Sequence, residues 1–308
     1  MRRQLAAGLA IAALGLGLLG VRSLAAAPAA TATHDGSSQP RLPRARARAE
    51  GRKLAPRKPC PPDMVSVRGN YCVDRFEAAL LDPTTRTLAS PYYSANPLLA
   101  QRDAAHWEKQ RKRTGPHPMR DLALPPLPSA QTSQSFAPMA VSRAGVLPAA
   151  YVDLSVARKA CAAANKRLCT HVEWLGACRG NAATRQPYGE KYAPGRCNVS
   201  RGLHPASVLH SPGEFGGTDP RLNTILDHGF DLLLRTGSLQ DCASRWGQDA
   251  IFDMVGNLDE WIDDPRGTFL GGFYARDMPW GCDARIDIHS ADYYDYSTGF
   301  RCCKDAAR

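Results

Sequence analysis

The chain has 308 residues, of which 44% are hydrophobic and 22% charged, with ten cysteines and a formal net charge of +10. That charge is lopsided: 11 of the 39 basic residues but only two of the 29 acidic ones precede Pro59, so the rest carries about +1. A near-neutral body of this size excludes a nucleic-acid footprint and is long enough to bury a sizeable core as one domain.

Residues 1 to 27 read as an address. Arg2 and Arg3 give a charged start, Leu5 to Val21 is an apolar run without a charge, and Ala25 to Ala27 supply small residues for cleavage. This is the pattern of a secretory signal. An uncleaved membrane anchor is the alternative, because the apolar run is just under transmembrane length; after cleavage no transmembrane span is expected. Residues 28 to 58 are Ala, Pro, Arg and Ser with almost no large apolar side chains. Such a segment buries too little surface to offset its chain entropy, so a disordered linker is expected. Its basic residues suit a solubilising spacer or contact with anionic lipid, polysaccharide or cell wall. All ten cysteines fall between Cys60 and Cys303, with no C-x-x-C pair. In an exported chain that count reads as five disulfides more readily than as zinc, and the expected location is periplasmic, secreted or associated with the cell envelope.

Residues 59 to 308 are expected to form one domain. Pro61 to Glu77 alternates apolar and polar residues around Gly69-Asn70, a hairpin signature, and Cys60 and Cys72 are placed to bridge that turn. Residues 93 to 148 read as a loop insertion: Gln101 to Arg113 suits a short exposed helix with a solvated basic face, and Pro116 to Pro148 is too proline-rich for regular structure. Asp153 is placed to cap a helix with Val156, Ala157, Ala160, Cys161 and Ala164 on one face, ended by Asn165. Thr170 and Glu173 form a capping box for a second helix, which carries Trp174 and Cys178 and stops at Gly180. Tyr188 to Asp241 is glycine- and proline-rich, and a bridge between Cys197 and Cys242 would fasten it.

Ile251 to Trp261, IFDMVGNLDEW, is the stretch around which the rest is arranged. An apolar strand-like run meets Gly256, then an acidic residue and an indole. A loop of this kind can aim backbone carbonyls and the Glu260 carboxylate at a hard cation such as calcium; a plain turn with a buried Trp261 and a solvated Glu is the competing reading. Thr268 to Tyr274 follows as a strand with a double glycine, and Thr298 to Cys303, TGFRCC, closes the chain as a final strand.

Four stretches in this order, ACAAANKRLCTHVEWLGACRG, IFDMVGNLDEW, LGGFY and TGFRCC, resemble the sulfatase-modifying-factor family, whose enzymatic members are the formylglycine-generating enzymes. The resemblance covers about Pro59 to Lys304. It implies an α+β fold, a single modified C-type-lectin-like domain, loop-rich and low in regular secondary structure. It implies a calcium loop with carbonyls from Asp253, Gly256 and Leu258 and the side chain of Glu260, and a second calcium site beginning near Asn198 and Val199. It also implies the disulfides Cys161 to Cys302 and Cys178 to Cys282, and leaves the pairing of Cys169, Cys197, Cys242 and Cys303 open. Closing a loop as long as 161 to 302 is worth about 4 to 5 kcal/mol in the chain-entropy picture.

The family's oxidases hold copper(I) on two thiolates that follow the double glycine, and here the chain departs from them. Arg276 stands at the first thiol position and the second falls near Gly281. Cys282 is assigned to a bridge, so bound copper is not expected, and an arginine offers neither a soft metal ligand nor a thiol nucleophile. The expected function is a non-catalytic, calcium-stabilised module for an extracellular or envelope peptide or glycan, with Trp280, Tyr293 and Tyr294 as candidate ligand contacts. The alternative is an enzyme, either an oxidase acting on protein cysteine or a metal-dependent oxidase of other chemistry. The eight histidines show no metal-binding triad spacing, although His204, His210 and His228 share one loop region. No G-x-S-x-G elbow marks a serine hydrolase.

Overall fold

The computed structural model describes residues 60–113, 119–211, 214, 216–277 and 279–306. The expected signal at 1–27 and linker at 28–58 lie outside the described residues. In chain order the elements are β1 (Met64–Val67), β2 (Tyr71–Asp74), β3 (Ala78–Leu81), α1 (Pro97–Gln110), β4 (Met139–Ser142), α2 (Leu154–Ala163), β5 (Arg167–Leu168), α3 (His171–Arg179) and α4 (Pro205–Leu209). They continue with β6 (Leu226–Asp227), β7 (Phe230–Asp231), β8 (Ala243–Trp246), β9 (Asp249–Phe252), β10 (Asp259–Trp261), β11 (Phe269–Leu270), β12 (Arg285–Ile286), β13 (Thr298–Phe300) and β14 (Cys302–Asp305). Among these, no helix is long and apolar enough to cross a membrane.

Two four-stranded sheets carry the architecture. One has the order β1-β2-β14-β5, the other β12-β11-β10-β13, in which β10 and β13 run parallel. The C-terminal segment belongs to both, since β13 lies beside β10 and β14 lies between β2 and β5, with Arg301 as the hinge residue. Three further strand pairs, β3 with β4, β6 with β7 and β8 with β9, stand apart from these sheets. The result is a loop-rich mixed domain of helices and strands.

Local sequence signals explain the helices. The Asp153 carboxylate accepts from the Val156 amide at 2.7 Å and starts α2, and Asn165 ends it at φ +55°. Thr170 and Glu173 make the full capping box on α3, and Gly180 caps its end at φ +65°. Both faces are apolar inward, so Cys161, Trp174 and Cys178 are completely buried.

Five disulfides join Cys60–Cys72, Cys161–Cys302, Cys169–Cys303, Cys178–Cys282 and Cys197–Cys242. Two of them pin β14 to α2 and to the segment before α3.

The 93–148 region is more ordered than its composition implies. Helix α1 begins at Pro97, capped by Asn96, and is not merely exposed: Trp107 is buried and donates to Thr218 Oγ1 at 3.1 Å. Buried Asp103 obscures the periodicity, because its charge is accommodated by the Tyr294 hydroxyl at 2.7 Å. Strand β4 also lies inside the proline-rich stretch, held by a four-residue register against β3. A partner strand distant in sequence supplies what local propensity lacks.

Candidate functional site

Residues Asp253 to Glu260 form the loop between β9 and β10 together with the start of β10. The chain turns there through three positive-φ residues, Asp253 at +57°, Gly256 at +79° and Asn257 at +62°. Gly256 is required, since a Cβ would stand 2.2 Å from the Asn198 carbonyl oxygen. Trp261 is fully buried and donates to the Val152 carbonyl at 2.6 Å.

The Glu260 carboxylate is 1% exposed and saturated by protein donors. Arg301 donates to Oε1 through Nη2 at 2.6 Å and to Oε2 through Nε at 2.7 Å, and Trp174 Nε1 donates to Oε2 at 2.7 Å. The same guanidinium reaches the carbonyls of Asp74, Phe252 and Asp253. Glu77 completes the cluster, accepting from the Leu258 amide at 3.1 Å and from Asn257 Nδ2 at 2.6 Å. Burial, reinforced by the charges of Asp253 and Glu260, pushes Glu77 well above the usual carboxylate range. Burial also lifts Asp253 to about 6 against the Gly237 amide and Arg301.

Calcium seeks six to eight oxygen ligands. Of the expected ligands, the one carboxylate, Glu260, faces a guanidinium and an indole N–H, and the Asp253 carbonyl accepts from the same guanidinium at 3.3 Å. These donors fit a buried ion pair and do not fit the cage implied by the resemblance. At the other expected calcium position, Asn198 Nδ2 donates to the Leu232 carbonyl and to Asn257 Oδ1, while Asn198 Oδ1 has no hydrogen-bond partner.

A cleft of about 470 Å³ opens beyond the double glycine. Gly271 and Gly272 take φ +89° and +76°, and a Cβ on Gly271 would meet the Met254 carbonyl oxygen at 2.7 Å. This tight passage swings Phe273 to Asp277 into one wall. Arg276 lies over the Phe273 ring and donates from Nη1 to Asp259 Oδ1 at 2.8 Å. Asp259 is fully buried and its Oδ2 has no hydrogen-bond partner; burial, opposed by Arg276, raises it to about 7. The opposite wall is Tyr293, stacked on His289 at 3.8 Å and donating to Asp295 Oδ2 at 2.5 Å. The Tyr296 hydroxyl sits 3.0 Å from His204 Nε2, and burial lowers the His204 pKa. The cleft therefore presents aromatic faces beside one guanidinium, the imidazoles of His204 and His289, and the carboxylates of Asp277 and Asp295.

Of the expected ligand contacts only Tyr293 lines this cleft. Tyr294 faces away and is held by Asp103 and Arg102 of α1. Trp280 is 61% exposed, outside the cleft lining. Asp295 and Tyr296 line it from the same stretch as Tyr293, whereas His204 reaches it from a loop about 90 residues earlier, a convergence that no spacing signal marks. His210 is buried against Trp107, and His228 is on the β6–β7 turn beside Asp227.

Position 281, where the second copper thiol would fall, is closed to side chains. Gly281 has φ +59°, and a Cβ would meet Gln186 Oε1 at 2.4 Å and the Arg185 carbonyl oxygen at 2.6 Å. Cys282 is bonded to Cys178, and no cysteine is free.

The motifs and the disulfide-locked, loop-rich domain define a sulfatase-modifying-factor type of protein. The family model described as the sulfatase-modifying factor enzyme 1-like domain matches residues 62–306, and the chain belongs to that family. Among solved structures it is similar to CarF, at 15% identity over 76% of this chain and 86% of that one, with a TM-score of 0.34. PvdO from Pseudomonas aeruginosa is similar at 13% identity over 76% and 80%, with a TM-score of 0.36. A search of curated proteins found no match.

Proposed function

We propose that this protein is a binding module of its family, a pseudoenzyme with respect to copper-dependent thiol oxidation, and that the Arg276 cleft receives an extracellular or envelope peptide or glycan. The observation that carries this reading is the substitution of chemistry at the cleft: Arg276, paired with Asp259, occupies the first thiol position, while every cysteine is in a disulfide. Five disulfides fit an exported protein. Aromatic faces beside a guanidinium and two imidazoles suit a ligand with both apolar and hydrogen-bonding surface. The arrangement of two small sheets and flanking helices is read here as the modified C-type-lectin-like architecture.

Peptide and glycan arrays probed with the intact protein, and with Arg276→Ala and His204→Ala, test the cleft. Binding lost in the variants, with the melting temperature and an alkylation count of zero unchanged, supports it. Formylglycine in a co-expressed sulfatase peptide, dependent on this protein, would overturn it, as would stoichiometric copper in the purified chain.

For the loop at 253–260 we propose that the Glu260–Arg301 pair holds the turn without calcium. Dialysis against EDTA should leave the melting temperature unchanged. A fall restored by added calcium would return the loop to the metal reading.

A further inference from the structure

A second pocket, of about 300 Å³, shares no lining residue with the Arg276 cleft. Its walls carry Arg179 from the end of α3, Arg196 from the following loop and Arg245 from β8, with Asp241 as the sole carboxylate among its lining residues. Arg179 pairs with Asp283 outside the lining, and Arg196 sits 3.3 Å from Asp241, both pairs being substantially exposed. Among the described residues Arg245 forms no ion pair and is exposed. Three guanidinium groups thus line the pocket beside one carboxylate, and with Arg179 also paired to Asp283 the net excess is about one positive charge, carried by Arg245.

The pocket is preorganised by covalent structure. Arg179 follows Cys178, Arg196 precedes Cys197 and Asp241 precedes Cys242, so two disulfides, Cys178–Cys282 and Cys197–Cys242, fix the backbone from which these side chains project. The turn after α3 is pressed against β8, with the Asn181 amide donating to the Arg245 carbonyl at 3.0 Å and a Gly180 Cβ position only 3.2 Å from the Arg245 nitrogen. The end of a helix is its negative pole and opposes an anion. Here that effect is offset by Arg179 itself and by the Thr184 amide, which takes up the Arg179 carbonyl at 3.1 Å. Arg196 is steadied over the Tyr188 ring, 5.8 Å from its centroid. Guanidinium forks match the paired oxygens of a tetrahedral oxyanion, and walls fixed in advance lose little entropy on binding.

We propose that this pocket binds a tetrahedral oxyanion, a phosphate or sulfate group, either free or displayed on a polymer. The inference does not depend on the reading of the Arg276 cleft. Inorganic phosphate and inorganic sulfate are titrated into the full protein by calorimetry, with chloride at matched ionic strength as the reference. Both oxyanions should bind, and Arg245→Gln and Arg196→Gln should each weaken binding about tenfold, whereas Arg158→Gln on another surface should not. Melting temperature and disulfide count show whether each variant is folded. Oxyanions that bind no tighter than chloride, or folded Arg245→Gln and Arg196→Gln variants that bind like the parent, would overturn the proposal. A sulfated dextran that binds much tighter per sulfate than the free ion would identify a polymer as the source; equal affinity per sulfate would identify the free ion, and either result upholds the pocket.

Discussion

Arg301 does at one point what several residues are otherwise needed for. Its guanidinium neutralises Glu260 and ties the carbonyls of Asp74, Phe252 and Asp253 to the junction of β13 and β14. Burial alone would lower its pKa, but Glu260, Glu77 and Asp253 hold it above its ordinary value. Replacing Arg301 by methionine would leave these carboxylates without a counter-charge in the interior, and a loss of about 3 to 5 kcal/mol is expected in denaturant unfolding. Asp74 gives a second prediction. It is fully buried, accepts from Lys166 Nζ at 2.6 Å and from the Cys302 amide at 3.0 Å, and burial still raises it to about 6 against the pull of Lys166. A carboxyl raised in the folded state binds its proton more tightly there than when unfolded, where it titrates near 3.9. Its stabilising contribution is therefore full below about pH 4 and lost as pH rises through about 6. The stability of Asp74→Asn, measured from pH 4 to pH 7, should fall less steeply over this window than that of the parent; an identical slope would show that Asp74 does not titrate there.

At the scale of elements, the short 3-10 turn at Gly281–Asp283 is packed tightly against the Arg185–Gln186 segment. Gly281→Ala is expected to cost about 2 kcal/mol or more, because it combines strain at positive φ with a collision against the Arg185 backbone. Thermal unfolding of that variant checks it, and an unchanged melting temperature would mean that the turn can open. The two main helices were legible from their caps, since capping is local chemistry within four residues. Strand β4 was not, and of α1 only an exposed helix over Gln101 to Arg113 was legible, not its start at Pro97 or its buried face: Ala78 to Leu81 supplies the register for β4, and the partners of Trp107 and Asp103 are Thr218 and Tyr294, more than 100 residues away.

At the scale of the whole molecule, the disulfides act as a set. Cys161–Cys302 spans 141 residues and would be worth about 4 to 5 kcal/mol if it stood alone. Cys169–Cys303 closes nearly the same loop, so with either bridge in place the other closes a ring of roughly ten residues. Removing one pair by alanine substitution should then cost about 2.5 to 3 kcal/mol, and removing both about 6 to 7 kcal/mol, since Cys178–Cys282 already shortens the larger ring to roughly forty residues. Equilibrium unfolding of the three variants measures this. Equal and additive losses of the larger size would show that the two bridges constrain different parts of the unfolded chain.

The sequence by itself determined the family, through four short motifs whose order and spacing survive any rearrangement of the loops, and it determined the capped helices and the β1–β2 hairpin. It also marked Arg276 and Gly281 as positions without a thiol. Only the tertiary structure decided that Glu260 faces Arg301, that Asp259 lies buried beneath Arg276, and that Arg179, Arg196 and Arg245 share one pocket. Each of these depends on contacts between residues tens to hundreds apart, where burial and partner are set by how the chain returns on itself. Glu77 and Asn257, hydrogen-bonded across 180 residues, show why: charge and polarity are written in the sequence, but the partner that satisfies them is fixed only when the strands have come together.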